Sequence, residues 1–565
     1  MATGLLIERR SRPRSSRSKE PRCPLSVPRS TVTLTSSITV ADGVFAPGHL
    51  GELTRQLPFE LVDDVLERVG GGQRRVRLLP SRVGVYFVLA LALFPQLGYV
   101  RVWDKLTAGL HGLLHRRPSE KALREVRRRL GVAPLRSLFE TLAGSTAQPI
   151  TPGVRYRCWR TVAFDGCSST KAPDRPRVCA WLGKHKHRYG TDGYPMLKIM
   201  VLCETGTRAL LGAVFGPTPE KETGYAEQLL PLLDDSMLLL NDRGFDSDDF
   251  LAKAAATGAQ LLVRLKGTRT PARWALLPDG SFLTRINGTR LRIIDAYITV
   301  TTAKGLRLEG HYRLATTLTD QRRHPAAELV ELYHERWEIE SAFYSLRHTL
   351  QRGMVLRSQD ATGIQQELWA HLTVYQALRR AMVEAVETLP GTDPDRASFT
   401  IALETAKDQL IAAANVLPDT GPGHIASALL HNLLPPRRAR VNPRRVKCPI
   451  SRYAAPPEQV QVLGASRITS IKVTLHSSAD PRPDGRRDRT LQLLRTAPLR
   501  TWRACEIARG IGLDDAQGLR AELGRWVREG ILRRTGRGIY ILEPEWLTPD
   551  LQDPVDPPLT TPDRP

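Results

Sequence analysis

The chain has 565 residues, 41% of them hydrophobic and 25% charged, enough for roughly two to four domains and a sizeable core. Lys and Arg outnumber Asp and Glu by 82 to 58, and the net charge of +24 is spread along the whole length, which excludes an acidic scaffold and points to a polyanionic partner. Seven cysteines without a Cys-x2-Cys pair exclude a zinc knuckle, and no apolar run is long enough to span a bilayer, so a reduced cytoplasmic protein with free thiols is expected.

In chain order, residues 1–40 are rich in Arg, Ser and Pro and predict a disordered basic tail. By composition this tail suits a transit peptide, a basic DNA arm or an extension from an upstream start codon. Residues 41–145 read as a helical domain with helices over 59–69, 81–94, 99–109 and 119–130, the last with Ser119 as N-cap. The apolar run ending at Pro95 is a buried helix rather than a membrane span. Arg124, Arg127 and Arg128 share roughly one helix face, suited to a DNA backbone or groove or, equally, to plain solvation. A small DNA-binding domain is the reading taken.

From residue 150 to 265 the pattern changes to three strands (158–164, 196–204, 209–215), a helix (222–233), a strand (237–240), a helix (248–257) and a strand (260–265). Between them, His185 and His187 flank Lys186 in a basic run, which suits an exposed or phosphate-binding loop better than metal ligation. Residues 266–318 read as a β insertion, with Asn287-Gly288 and Lys304-Gly305 as turns. Trp274 near its start is either a core residue or a platform for an extruded base. Residues 319–455 form the second part of the core and end in a Pro/Arg-rich segment, 435–453; a linker follows over 456–487. Residues 488–545 read as three helices and a β-wing, a winged-helix-like domain in which Arg520 and Arg525 face a groove and Arg537 a minor groove or phosphate; a protein-contact module is the other reading. Residues 546–565 are a second disordered tail.

Three acidic residues stand out. Asp165 in Val-Ala-Phe-Asp-Gly and Asp242 in Leu-Leu-Leu-Asn-Asp-Arg-Gly-Phe each end an apolar strand-like run, and Glu340 lies in a helix. Such a layout lets carboxylates from distant segments meet around divalent metal, the arrangement of phosphodiester chemistry. From Tyr333, residues Arg336, Glu340 and Arg347 fall within an arc of about 60° on one helix face, while Glu331, Glu335 and Glu338 are expected on the opposite one. An ordinary surface helix with i, i+4 ion pairs is the alternative.

Tyr333-x2-Arg336-x3-Glu340-x6-Arg347 resembles the Tyr-Arg-Glu-Lys signature of the DDE transposases of the insertion-sequence-four family, with Arg347 in place of the usual Lys. Asp242-Arg243-Gly244-Phe245 and stretches from about Phe59 to Tyr453 resemble that family as well. The resemblance implies an α/β fold: a ribonuclease-H-like catalytic core with a β insertion, joined here to the N-terminal helical domain and the C-terminal winged-helix-like domain. It implies Asp165, Asp242 and Glu340 as catalytic metal ligands for two Mg²⁺ ions, with Mn²⁺ as a substitute. Tyr333, Arg336 and Arg347 would hold DNA phosphates. The implied activity is a bacterial transposase that binds terminal inverted repeats, cleaves them and joins them to target DNA as a nucleoid-associated homodimer. A catalytically silent DNA-binding regulator and a nuclease of the same fold are the competing readings.

Overall fold

The computed structural model describes residues 49–71, 79–109, 117–187, 190–303, 305, 307–412, 423–436, 440–441, 466–475 and 485–547. The expected tail at 1–40, the expected tail at 546–565 from residue 548 on, and most of the Pro/Arg-rich stretch 435–453 lie outside the described residues; Trp546 is buried in the core of the C-terminal module rather than part of a tail.

Helices α1 (Phe59–Arg68), α2 (Ser81–Leu93), α3 (Tyr99–Thr107) and α4 (Glu120–Leu130) form within two residues of their expected bounds. Ser119 caps α4, its Oγ accepting from the Ala122 amide at 3.2 Å. Gly131, at φ 66°, ends that helix, and α5 (Ala133–Leu142), which no expectation covered, follows.

Strands β1 (Trp159–Lys171), β2 (Met196–Glu204), β3 (Leu210–Pro217), β4 (Met237–Asn241) and β5 (Gln260–Arg264) alternate with helices α6 (Glu222–Glu227) and α7 (Asp248–Ala255) in the expected sequence. In the sheet they lie in the order β3-β2-β1-β4-β5, with β4 and β5 parallel to β1, and β2 antiparallel to both β1 and β3. Every residue of β4 is buried, as a central parallel strand covered on both faces requires. Its register sets Ala163 beside Leu240, so Asp165 and Asp242, each two residues further on, reach the same end of adjacent strands. β1 does not close at Asp165 as expected. It continues to Lys171 because β2 still offers a partner, with Asp165 opposite Val201.

The β insertion prolongs this sheet. β6 (Phe282–Ile286) and β7 (Thr289–Thr302) form a hairpin whose Asn287 and Gly288 both have positive φ, as Asn-Gly favours. β8 (Arg307–Thr316) pairs with β7 and, through Leu314–Thr316, with β5. The expected linker at 456–487 needs correction, since it contains β9 (Ser466–Leu475), which lies against β7 with Ile471 opposite Val300. Alternating Ile471, Val473 and Leu475 pack onto the main core, a period-two signal masked by Pro- and Arg-rich flanks.

Next come α8 (Ala326–Leu332), a 3₁₀ segment at Tyr333–Trp337, α9 (Glu338–Tyr344) and a π-helical turn at Ser345–Leu350. Helices α10 (Ala361–Glu387), α11 (Phe399–Ile411) and α12 (His424–His431) follow. α10 packs against α2, α5 and α12 and is buried on most sides, its enclosed polar residues such as Gln366 and Glu367 meeting partners from other elements. The N-terminal helices therefore share one hydrophobic core with the sheet.

Beyond residue 485, α13 (Arg486–Arg495), β10 (Trp502–Arg503), α14 (Ala504–Gly510), α15 (Gln517–Arg528), β11 (Leu532–Gly536) and β12 (Ile539–Leu542) form a small module with sheet order β10-β12-β11. Its apolar interior, including Leu491, Ile507, Leu523 and Trp526, also takes in Trp274 and Leu283 of the insertion. Trp274 is thus a core residue, 3% exposed, with the Arg285 guanidinium 5.0 Å from its ring centre. Arg495 donates to the Trp274 carbonyl at 3.0 Å and Arg285 pairs with Glu545 at 2.8 Å, so the module docks on the insertion.

Candidate metal-dependent active site

Asp165 projects from the middle of β1, mostly buried, and its Oδ1 accepts from the Gly166 amide at 2.9 Å. Burial pushes its pKa up to about 7; Arg336 opposes that rise, and Asp242 and Glu340 add to it. The three carboxylates singled out in the sequence therefore act electrostatically on one another.

Asp242 follows β4 and caps the short turn Arg243–Phe245, its Oδ1 accepting from the Gly244 amide at 2.7 Å. Glu340 lies in the first turn of α9 and accepts from Arg336 Nη2 at 3.3 Å. Arg336 is 5% exposed and lies 4.6 Å from the centre of the Trp337 ring. Burial works against its charge, but Tyr333, Asp165, Glu340 and Asp242 together raise its pKa, so this cation is held inside the acidic group. Among the described residues no three His, Cys, Asp or Glu side chains are drawn close enough to hold one ion. Hard oxygen donors carrying more negative charge than Arg336 offsets fit divalent cations such as Mg²⁺.

The other residues of the signature divide. Tyr333 is buried, and its hydroxyl donates to the Asn241 carbonyl at 3.1 Å. It ties the helix to the end of β4 and is turned inward, where its expected phosphate role would have it exposed. Asn241, which sequence reasoning passed over, also accepts the Phe164 amide on its Oδ1 at 3.2 Å, locking both strands just before the aspartates. Arg347 lies in the π-helical turn, part-exposed, and is not among the principal charges acting on Asp165.

Glu338 was expected on the outer face with Glu331 and Glu335. It is buried instead, accepting from Arg208 Nε at 2.5 Å, and Arg208 also pairs with Asp395. The winding changes from 3₁₀ to α to π along this segment, so a constant 100° per residue misplaces its faces. Arg208 itself sits at φ 62° in the β2–β3 connection, and Tyr375 donates to its carbonyl at 2.8 Å.

The expected DNA-facing arginines of α4 separate likewise. Arg124 and Arg128 are exposed and pair with Glu120 and Glu125. Arg127 is turned inward and its role is corrected: it donates to Gln366 Oε1 at 2.6 Å, the Tyr99 hydroxyl at 2.7 Å and the Gly363 carbonyl at 2.7 Å. Glu367, buried beside it, is held below the usual carboxylate range; burial, the largest effect, is overcome by Arg127 and Arg357. Arg127 thus fastens α4 to α10. In the C-terminal module Arg520, Arg525 and Arg537 are all exposed, on α15 and in the β11–β12 turn.

The cysteines among the described residues are free thiols, and no helix there is long and apolar enough to cross a membrane. The side chains of His185 and His187 lie outside the described set.

Two family models match the chain: "Insertion element 4 transposase N-terminal" over residues 47–140 and "Transposase DDE domain" over residues 161–377. Together they cover more than half of it, and the second range contains Asp165, Asp242 and Glu340. The chain is similar to the transposase InsG for insertion sequence element IS4 of Escherichia coli (strain K12), 28% identical over 425 residues, or 71% of this chain and 93% of that protein. A solved piggyBac transposase synaptic complex with hairpin DNA aligns with a TM-score of 0.35 and 11% identity, over 66% of this chain and 85% of that one, a likeness too slight to bear on fold or function.

Proposed function

Since the chain belongs to the insertion-sequence-four family of DDE transposases, enzymes that depend on divalent metal, we propose that Asp165, Asp242 and Glu340 are its catalytic carboxylates. What carries this reading is the convergence of Asp165, Asp242 and Glu340 around the buried cation Arg336. The three would hold two Mg²⁺ ions, with Mn²⁺ accepted in their place. When bound, such ions lower the pKa of an attacking hydroxyl and stabilise the charge on both the attacking and the leaving oxygen.

The protein's own groups prepare that chemistry. Asn241 and Tyr333 set the end of β4 so that Asp242 stands level with Asp165. Arg336 limits repulsion among the carboxylates while leaving their net charge negative. Arg347, part-exposed on the same helical segment, would meet a DNA phosphate. One site then serves hydrolysis at the element end and joining of the freed 3′-hydroxyl to target DNA. The partner is double-stranded DNA, both terminal inverted repeats and target, bound by a homodimer at the nucleoid. In the assay that tests this, the protein is incubated with linear DNA carrying the element ends, a target plasmid and Mg²⁺. Joined products are expected; cut ends alone would make the protein a nuclease, and no products a DNA-binding regulator.

The C-terminal module is read as a winged helix on its succession of helix, strand, two helices and two strands, with α15 as the groove-facing helix and the β11–β12 turn as the wing. Arg520, Arg525 and Arg537 then neutralise phosphates. Because the module shares its core with Trp274 and Leu283, the test uses the full chain rather than a fragment. Each Arg→Ala change should weaken duplex binding at low salt and reduce the slope of log K against log salt by about 1. Unchanged affinity and slope in the triple variant would make the module a protein contact.

A further inference from the structure

We infer that Glu222 is a fourth acidic member of the metal-binding cluster, an inference that rests on the proposed reading of Asp165, Asp242 and Glu340. Glu222 opens the short helix α6, far in sequence from the signature residues, and nothing in its spacing marks it. Its carboxylate is directed at two glycines, one directly after Asp165 and one two residues after Asp242. A Cβ added to Gly166, next to Asp165, would come within 3.1 Å of Glu222 Oε1, and one added to Gly244 would lie 3.8 Å from Glu222 Oε2 and 2.9 Å from Asp242 Oδ1. The glycines thus leave a slot that any side chain would fill, with the Glu222 and Asp242 carboxylates on its walls.

Glu222 is half-buried, and its side chain makes no hydrogen bond or ion pair among the described residues. The nearest cation to act on it, Lys198 of β2, directs its ammonium to the Glu220 carbonyl at 2.6 Å. Glu227, five residues on, is by contrast an ordinary surface acid paired with Lys253 at 3.0 Å. Withdrawing a carboxylate from water beside Asp242, with no hydrogen-bond donor to meet it, is unfavourable in the protein alone. A shared divalent cation supplies the missing partner. Glu222 would hold the ion on the side of Asp242, and the bare backbone at Gly166 and Gly244 would leave it room to do so.

The experiment is a Mn²⁺ titration of the full-length protein, followed by the loss of the free-ion electron paramagnetic resonance signal, for wild type, Glu222→Gln, Asp242→Asn and Glu220→Gln. Glu222→Gln should bind about 10- to 100-fold more weakly, in the range that outer partners of metal sites command. Its cleavage activity should recover as Mn²⁺ is raised. Glu220→Gln, an exposed carboxylate two residues away, should match wild type. Metal-free melting at or above the wild-type temperature would show that Glu222→Gln folds. Wild-type affinity in Glu222→Gln together with weak binding in Asp242→Asn overturns the Glu222 inference alone. Wild-type affinity in Asp242→Asn overturns the reading of the site on which it rests.

Discussion

Asp165→Asn, Asp242→Asn and Glu340→Gln should each reduce Mg²⁺-dependent cutting of end DNA by about a hundredfold or more, since even outer partners of metal ligands cost 10- to 100-fold. Binding of the DNA end, measured without metal, should stay close to wild type, because the proposed role of these residues is to hold ions rather than phosphates. Substantial cutting by any of the three would remove that residue from the site. The Asp165 change carries a second signature. Its folded pKa of about 7 lies above its unfolded value near 3.8, so between those limits the folded chain holds a proton that the unfolded chain lacks. Metal-free stability should therefore fall as pH rises through that window and level off above it. Asp165→Asn should flatten the fall and melt higher than wild type at pH 8. A bound cation must displace the same proton, so metal affinity should rise with pH up to about 7 and then plateau. Melting temperature against pH, with and without Mg²⁺, reads both effects.

Arg208→Met should cost about 3–5 kcal/mol of stability, the usual consequence of removing one partner from a buried ion cluster and leaving the others uncompensated. Both Glu338 and Asp395 would be stranded, each less than a tenth exposed. Because Glu338 lies two residues before Glu340, loosening it should also lower cleavage at temperatures where the variant is still folded. Glu338→Ala is correspondingly a destabilising change. Glu331→Ala, on an exposed residue of α8, is the neutral control. Urea unfolding of the three variants distinguishes these expectations; a wild-type midpoint for Arg208→Met would mean that the cluster contributes nothing net.

By itself the sequence determined most elements up to the β insertion, and it singled out the three carboxylates as candidates. Apolar runs such as Leu238–Leu240 are local, so their period and length identify a buried strand without knowledge of its neighbours. The Ser119 cap and the Asn287-Gly288 turn are likewise set by a few adjacent residues. Asp165 and Asp242 stood out because each follows such a run, and Glu340 because of its spacing from Tyr333 and Arg336. Only the tertiary structure decided which way the charged side chains turn. Arg127 and Arg128 are adjacent in one helix, yet the first is buried against α10 and the second exposed, because α10 arrives from more than 200 residues away. Glu338 turns inward because the helix changes pitch and Arg208 waits beneath it. β9 becomes a strand because β7 presents an open edge, and Trp274 is buried because a later module closes over it. Periodicity reports a pattern along one element; burial and ion pairing depend on what packs against it, which distant residues supply.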